Sequence, residues 1–301
     1  MLITAVIPTR NRPRDLECAV ASVLAQSRQP EELLIIDQSP GEESKERVRA
    51  LLAAHPSSIS VDYVHDPSIP GLIAAKQVAV ARARGDIVCF LEDDVVLEPE
   101  YLGAIERGFM QRPDMVGSCG VVTNLPPLAP FYFCLFHFFH RGIFHDPRVG
   151  VTGVVRGSGH ALVPSRYLSG GLSAYRREVF AAVPFDVKNG FFALEDIEFS
   201  TRVARIFGDR LYINPDARLE HRMSPANRAV LDAKHERKVR EFIVFHKKRR
   251  GHGARPGHVL LLVIGLFLES VFQAARERAL GPVLGFLRGL WRGMRWKVID
   301  A

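Results

Sequence analysis

At 301 residues, with 47% hydrophobic and 24% charged residues, the chain has ordinary globular composition and room for one large domain with appendages. Its four cysteines (Cys18, Cys89, Cys119 and Cys134) lack any C-x-x-C spacing, which argues against a disulfide framework or a zinc site and for a reducing compartment. The net charge of +7 is uneven: residues 234–301 hold 15 Lys/Arg and 5 Asp/Glu, so a slightly acidic body carries a basic tail suited to an anionic membrane surface or to nucleic acid.

The chain enters an apolar run at once. "LITAVIPTRN" has no basic leader and no cleavage site, so it reads as a strand over residues 3–7 ending at Pro8, not as a secretory signal. Asp15 is placed to cap a helix over residues 16–25, with Leu16, Ala19, Val20, Val23 and Leu24 on its apolar side. "ELLIIDQSP" repeats the pattern, a strand ending at Asp37. A charged helix over 42–54, a strand near 61–64, a helix over 71–84 and a strand over 86–91 follow. This alternation predicts an α/β fold with a mostly parallel sheet and right-handed crossovers. In such sheets ligands bind at the carboxyl ends of the strands. Three polar groups would meet there: Thr9-Arg10-Asn11-Arg12, Asp37 and Glu92-Asp93-Asp94. Neither a G-x-G-x-x-G fingerprint nor a Walker loop follows the first strand, which argues against a dehydrogenase or a P-loop NTPase.

In "GDIVCFLEDDVVLEP" a buried strand ends in three adjacent carboxylates. Like charges at one point repel and resist desolvation, so a cation, a hydrogen-bonding ligand or open water must compensate. A solvated turn is one reading. A divalent metal beside a sugar nucleotide is the other, since Mg²⁺ takes one or two protein carboxylates plus phosphate oxygens.

The second half is less regular. "PFYFCLFHFFHRGIF" concentrates aromatics, and "YLSGGLSAYRREVF" places Gly170 and Gly171 where a turn near a ligand would suit them. "FFALEDIEFSTRVARIFG" reads as a helix entered near Glu195, with Phe199, Val203, Ile206 and Phe207 on one face and Gly208 as its stop. Acids favour the first turn of any helix, so Glu195 and Asp196 alone do not define a site. "RLYINPDARLEH" adds a strand that ends at Glu220 and His221.

Six ordered segments carry a resemblance: "VIPTRNRP", "IDQS", "GLIAAKQVAVARARGDIVCFLEDDVVLEP", "LSGGLSAYRREVF", "ALEDIEFSTRVARIFG" and "NPDARLEHRMSP". Over roughly residues 3–225 the chain resembles the inverting family 2 glycosyltransferases. The resemblance implies a GT-A fold and a need for Mn²⁺ or Mg²⁺. It implies a domain over 1–233, with a nucleotide-binding half at 1–120 and an acceptor-side half at 121–233. On it, Pro8, Thr9, Arg10, Asn11, Arg12 and Asp37 would hold the base and ribose, and Lys76 would sit near the donor. Glu92-Asp93-Asp94 takes the place of the family's D-x-D motif, with Asp94 on the metal and Asp93 near the ribose. Asp196 would be the catalytic base and Glu195 its orienting neighbour or an acceptor contact. His221 would reach the metal or the diphosphate. Gly170, Gly171, Arg176 and Arg177 fall in the acceptor-side motif. The implied reaction is single-step transfer from a UDP- or dTDP-linked sugar to a glycan or lipid-linked acceptor in cell-surface polysaccharide or glycoconjugate synthesis.

The longest apolar run, residues 259–268, has too few residues for a bilayer crossing, which needs about 20. Basic residues flank it, and Trp291 and Trp296 lie among arginines. Residues 234–301 therefore read as a helical, basic and apolar tail resting on the inner face of the cell membrane, or as helices packed on the domain. The aromatic stretch would join that face, line a lipid-acceptor groove or pack as core. "RGMRW" resembles a motif of processive synthases, but the transmembrane helices expected around it are missing. Other readings are a nucleotidyltransferase, which should show a Gly-rich loop after the first strand, and an inactive membrane-docked scaffold. The tail lacks a recognised nucleic-acid module, so no nucleic-acid partner is expected.

Overall fold

The computed structural model describes residues 1–125, 130–145, 159–225, 231–249 and 255–299. Residues 250–254 of the basic tail lie outside the described residues. In chain order the first elements are β1 (Ile3–Thr9), α1 (Pro13–Leu24), β2 (Glu32–Asp37), α2 (Glu43–Ala54), β3 (Ser60–His65), α3 (Leu72–Arg82), β4 (Ile87–Phe90) and β5 (Val95–Leu97). Then come α4 (Tyr101–Gln111), β6 (Gly117–Val122), α5 (Pro130–Phe139), β7 (Val163–Ser165), β8 (Ser173–Arg176), α6 (Glu178–Ala182) and α7 (Glu195–Phe207). β9 (Leu211–His221), α8 (Leu231–Lys248), α9 (Pro256–Glu277) and α10 (Gly281–Arg295) complete the chain. Two compact units result. The first takes Met1–Leu125, Gly150–Phe185 and Phe199–Asn227, and the second Pro126–Val149, Asp186–Glu198 and Arg228–Ala301.

The first unit holds a nine-stranded sheet ordered β3-β2-β1-β4-β8-β6-β9-β5, with β7 also on β9. β1, β2, β3, β4, β6 and β9 run one way; β5, β7 and β8 run the other. The expected mostly parallel α/β sheet is present, with antiparallel strands mixed into its second half. Every residue of β1 and β2 is buried, as suits strands covered on both faces.

β1 does not stop at Pro8 but runs on to Thr9. Even-numbered residues of β1 face β4, and the pairing with β4 ends at Val6 opposite Phe90. The N–H that proline lacks would point where no ladder remains, so the ring is tolerated. α1 likewise starts earlier than expected, at Pro13, and Arg12 rather than Asp15 is its N-cap. Proline's fixed φ suits a first helical position, and Asp15 lies inside the first turn, where its charge complements the helix dipole. β6 shifts register between Cys119 and Val121. At Gly120 between them a Cβ would fall 2.3 Å from the Ala217 carbonyl oxygen, so only glycine fits. Phe90, Tyr175, Phe180, Phe185 and Phe199 form an aromatic core, with Phe185 and Phe199 stacked at 4.5 Å. In α7, Phe199 and Val203 are buried as expected, but Ile206 is 54% exposed: the helix buries Ser200 beside them, and its last turn stands clear of the core.

In the second unit α10 lies flush on α8 through Gly285, Gly289 and Gly293, where added Cβ atoms would come within 2.3, 2.4 and 2.8 Å of α8. Residues spaced by four share one helix face, and small ones there let backbones approach closely. Lys238 of α8 bonds both carboxylate oxygens of Glu269 in α9, at 2.8 and 2.7 Å. The apolar run 259–268 proves to be part of a 22-residue helix, α9, with a mean hydropathy of 1.9 over its most apolar window. Its length therefore corrects the expectation from the run alone. Among the described residues it is the one helix long and apolar enough to cross a membrane, which by itself is weak evidence of crossing.

Candidate active site

The sheet order places β1 between β2 and β4, so the order in which parallel strands are added reverses between β1 and β4. The crevice at such a point lies outside the strands' carboxyl ends. Thr9, Asp37 and the Glu92-Asp93-Asp94 turn all stand there, Thr9 directly opposite Asp37 in register. After β4 the chain leaves for the far edge of the sheet, where Val95 pairs with His221. That pairing delivers the end of β9 to the carboxylates.

The result is a compact cluster. His221 Nε2 lies 3.1 Å from Glu92 Oε2 and 3.1 Å from Asp94 Oδ1. One ligand atom each from Glu92, Asp94 and His221 falls within 4.8 Å of the others. Two carboxylate oxygens and an imidazole nitrogen form a donor set that fits a divalent transition ion such as Mn²⁺. Asp94 is anchored further by the Ser224 N–H, which donates to its Oδ2 at 2.8 Å. The Asn124 side chain brackets the His221 backbone, accepting from its N–H at 2.9 Å and donating to its carbonyl at 3.1 Å.

Asp93 turns toward β1 instead. Thr9 Oγ1 donates to its Oδ2 and Arg12 to its Oδ1, both at 2.8 Å. Asn11 makes this possible: its φ of 55° reverses the loop, and its N–H donates to Ser39 Oγ at 2.8 Å. Asparagine tolerates the left-handed region better than most residues.

Burial pushes Glu92 above the usual carboxylate range, with repulsion from Asp94 adding to it against the pull of His221. Burial also raises Asp93, and Arg12 and Thr9 only partly offset it. For Asp94 burial is outweighed by the His221 hydrogen bond and charge, the Ser224 N–H and Arg12, so its carboxyl is held low. One firm carboxylate beside two strained ones is the electrostatics of a site short of positive charge.

Gly170 and Gly171 frame the same cluster. Lys76 Nζ donates to the Gly170 carbonyl at 2.9 Å and lies 5.3 Å from the Phe90 ring centre. Glu92 N–H donates to the Gly171 carbonyl at 2.9 Å. A Cβ on Gly171 would fall 2.2 Å from Glu92 Cγ. Asp37 is fully buried; Tyr63 donates to its Oδ2 at 2.6 Å and the Ser39 N–H to its Oδ1 at 2.8 Å. Arg10 is exposed at the loop tip, and Pro8 is enclosed in β1. Arg176 and Arg177 do not join the cluster. Arg176 pairs with Ile87 at the opposite end of β4 and donates to the Met115 and Pro113 carbonyls, and Arg177 follows it.

Glu195 and Asp196 open α7 within the second unit. Glu195 is buried and Asp196 half-buried, its Oδ1 accepting from the Ile197 N–H at 2.8 Å. Glu241 of α8 accepts three successive backbone N–H groups, from Phe192, Ala193 and Leu194, at 3.1, 2.7 and 2.9 Å. Lys248 bridges Asp186 and Glu198. The basic helix α8 thus fixes the approach to the acidic pair. Glu241 and Asn124 lie in no recognisable motif and were missed from sequence; Ser224 lies in the segment "NPDARLEHRMSP" but was given no role there.

Solved structures share this architecture. A mannosyltransferase from Pyrobaculum calidifontis, in complex with GDP-Man and Mn²⁺, superimposes with a TM-score of 0.60 at 19% identity, over 98% of this chain and 76% of that one. S. aureus TarS 1-349, in complex with UDP-GlcNAc, gives 0.59 at 13% identity, over 98% and 81%. The fold is that of the GT-A glycosyltransferases. The sequence agrees: residues 4–133, about two fifths of the chain, match the model described as Glycosyl transferase family 2. An uncharacterized glycosyltransferase of Nostoc sp. is 32% identical over 117 residues, 39% of this chain and 35% of the relative. A further uncharacterized relative, from Sinorhizobium fredii, is spanned over 17% of its length, so the chain covers about a third or less of either.

Proposed function

We propose that the chain is a metal-dependent, inverting, non-processive glycosyltransferase. It would move a sugar from a nucleoside-diphosphate sugar to a hydroxyl of a glycan or lipid-linked acceptor in cell-surface polysaccharide or glycoconjugate synthesis. The observation that carries this reading is the Glu92, Asp94 and His221 cluster at the switch point, beside an Asp93 clamped by Arg12 and Thr9.

Glu92, Asp94 and His221 would hold Mn²⁺ or Mg²⁺, which when bound supplies positive charge to the diphosphate. Arg12, between Asp93 and Asp94, and Lys76 add fixed positive charge on the donor side, where it counts most as the leaving diphosphate gains charge. The Pro8 to Arg12 loop and Asp37 form the nucleotide wall. Asp196, oriented by Glu195, accepts the acceptor hydroxyl's proton as its oxygen bonds to the anomeric carbon. The bond from that carbon to the diphosphate oxygen breaks on the opposite face, and the configuration inverts. UDP- and dTDP-linked sugars are the leading donors; the GDP-Man complex of the Pyrobaculum relative adds guanine nucleotides to those worth testing.

The test is turnover of UDP-, dTDP- and GDP-sugars by the purified chain with Mn²⁺, followed as nucleoside-diphosphate release with the product's anomeric configuration read by NMR. Metal-dependent release with inversion is expected. A folded protein that binds nucleotide yet turns over none of them would be a docking scaffold, not a transferase.

A further inference from the structure

The second unit carries a helix built inside out. On α9 the buried face holds Leu262, Gly265, Leu266 and Ser270 together with the polar Glu269 and Gln273. Glu269 is satisfied by Lys238, and Gln273 by the Tyr132 hydroxyl. The outward face between Leu260 and Ala275 holds no polar residue at all. Leu260 is 63% exposed, Phe267 41% and Val271 42%, with Ile264, Leu268 and Phe272 alongside. At about 1.5 Å per residue this face is about 22 Å long. A helix in water reverses that arrangement, with polar groups outward.

α10 continues the surface in a second style. Leu280, Leu284, Leu287, Trp291 and Met294 recur at spacings of three and four and are all exposed, opposite the glycine stripe that seats the helix on α8. Arg288, Arg292 and Arg295 run along one flank of that stripe, and the helix holds no acidic residue. Near its end Arg240, Arg292, Arg295, Trp291 and Trp296 line an open cleft of about 360 Å³. Phe131, Phe133 and Phe138 of α5 are exposed as well, and Phe131 stacks on Phe272 of α9 at 4.4 Å.

We propose that the second unit docks on one leaflet of an anionic phospholipid membrane, with the outer faces of α9 and α10 and the α5 phenylalanines in the acyl boundary and the arginine flank among the headgroup phosphates. Three observations select this occupant. The apolar face is rimmed by arginine and tryptophan, the pairing that suits a lipid interface. The net +10 of residues 234–301 complements an anionic leaflet. And α9 does not cross, because its inner face is tied through Lys238 and Glu269 to α8, a helix too rich in charge to enter hydrocarbon. The proposal does not depend on the activity proposed for the chain.

The experiment is flotation of the full chain with vesicles of neutral phosphatidylcholine, or of phosphatidylcholine with about one third phosphatidylglycerol, at low and high salt. Strong binding to the anionic vesicles, at least tenfold weaker binding to neutral ones and partial release by salt are expected. The double variant Leu287→Glu/Val271→Glu should bind at least tenfold more weakly while keeping its thermal transition. Should that variant unfold, Trp296→Phe leaves Trp291 as the sole tryptophan, and brominated lipid should quench it in the otherwise native chain. Failure of the folded wild type to float, or of brominated lipid to quench Trp291, overturns the proposal. So does a stable dimer in solution that ignores vesicles and is broken by the double variant, because a second copy would then cover the face.

Discussion

Substituting Gly171 by alanine tests whether Glu92 belongs to the metal site without touching a ligand. The added Cβ would fall 2.2 Å from Glu92 Cγ and 2.3 Å from both Cδ and Oε1. Carbon contacts settle near 3.5 to 4.0 Å, so the side chain must retreat by at least about 1 Å. Its backbone cannot follow, because the Glu92 N–H is bonded to the Gly171 carbonyl at 2.9 Å. The carboxylate therefore swings away from His221 and Asp94. Losing a ligand's orientation typically weakens metal affinity about 10- to 100-fold, while the overpacking costs about 1–3 kcal/mol of stability. Gly120→Ala is the control: its Cβ strikes the Ala217 carbonyl oxygen at 2.3 Å, a backbone atom that cannot swing, so stability should suffer more than metal affinity. Mn²⁺ titration by calorimetry, with thermal unfolding run in parallel, separates the two effects. In a Glu92→Ala background Gly171→Ala should weaken the metal no further, since the crowded atoms are gone. A folded Gly171→Ala protein whose Mn²⁺ affinity stays within twofold of wild type would refute the reasoning.

Other outcomes follow from the second unit and the acid pair. Asp196→Asn should keep donor binding and lose transfer by about 10²- to 10⁴-fold, the range for a general base; near-normal turnover would remove Asp196 from that role. Glu241→Ala frees the N–H groups of Phe192, Ala193 and Leu194, so transfer should fall while Mn²⁺-nucleotide binding persists, and equal loss of both would contradict a positioning role. His140 is packed between Phe136 and Phe242, and burial, aided by the Lys238 charge, pushes its imidazole down to about 4. It is neutral when folded, so its contribution is complete above the unfolded value near 6.5 and fades as pH falls toward 4, by about 3 kcal/mol in all. Denaturant midpoints measured from pH 7 to 4 should fall for wild type and fall less for His140→Phe.

Much of this was legible in the sequence because its signals are local. Apolar runs ending at Thr9, Asp37 and Glu92 mark strands of a parallel sheet, and the ends of parallel strands share one edge. That Asp94, Glu92 and His221 meet depends on a long-range register, Val95 opposite His221, which no local pattern encodes. Arg176 was expected on the acceptor side through the motif it shares with Gly170, six residues before it. A strand rises about 3.3 Å per residue, so β8 carries it to the other end of the sheet. Pro8 misled as a strand breaker because its tolerance rests on where β4 ends. In α9 the run 259–268 understated the helix because Glu269, Ser270 and Gln273 interrupt it in sequence while facing inward in space.

A metal-dependent nucleotide site on β1 and β4 is tested most directly by calorimetric binding of UDP, dTDP and GDP, each with and without Mn²⁺, to wild type and Asp94→Ala. One of the three nucleotides should bind wild type only with the metal and should lose that binding in Asp94→Ala. Binding that ignores Mn²⁺, or a Mn²⁺ titration unchanged by Asp94→Ala, would contradict the account.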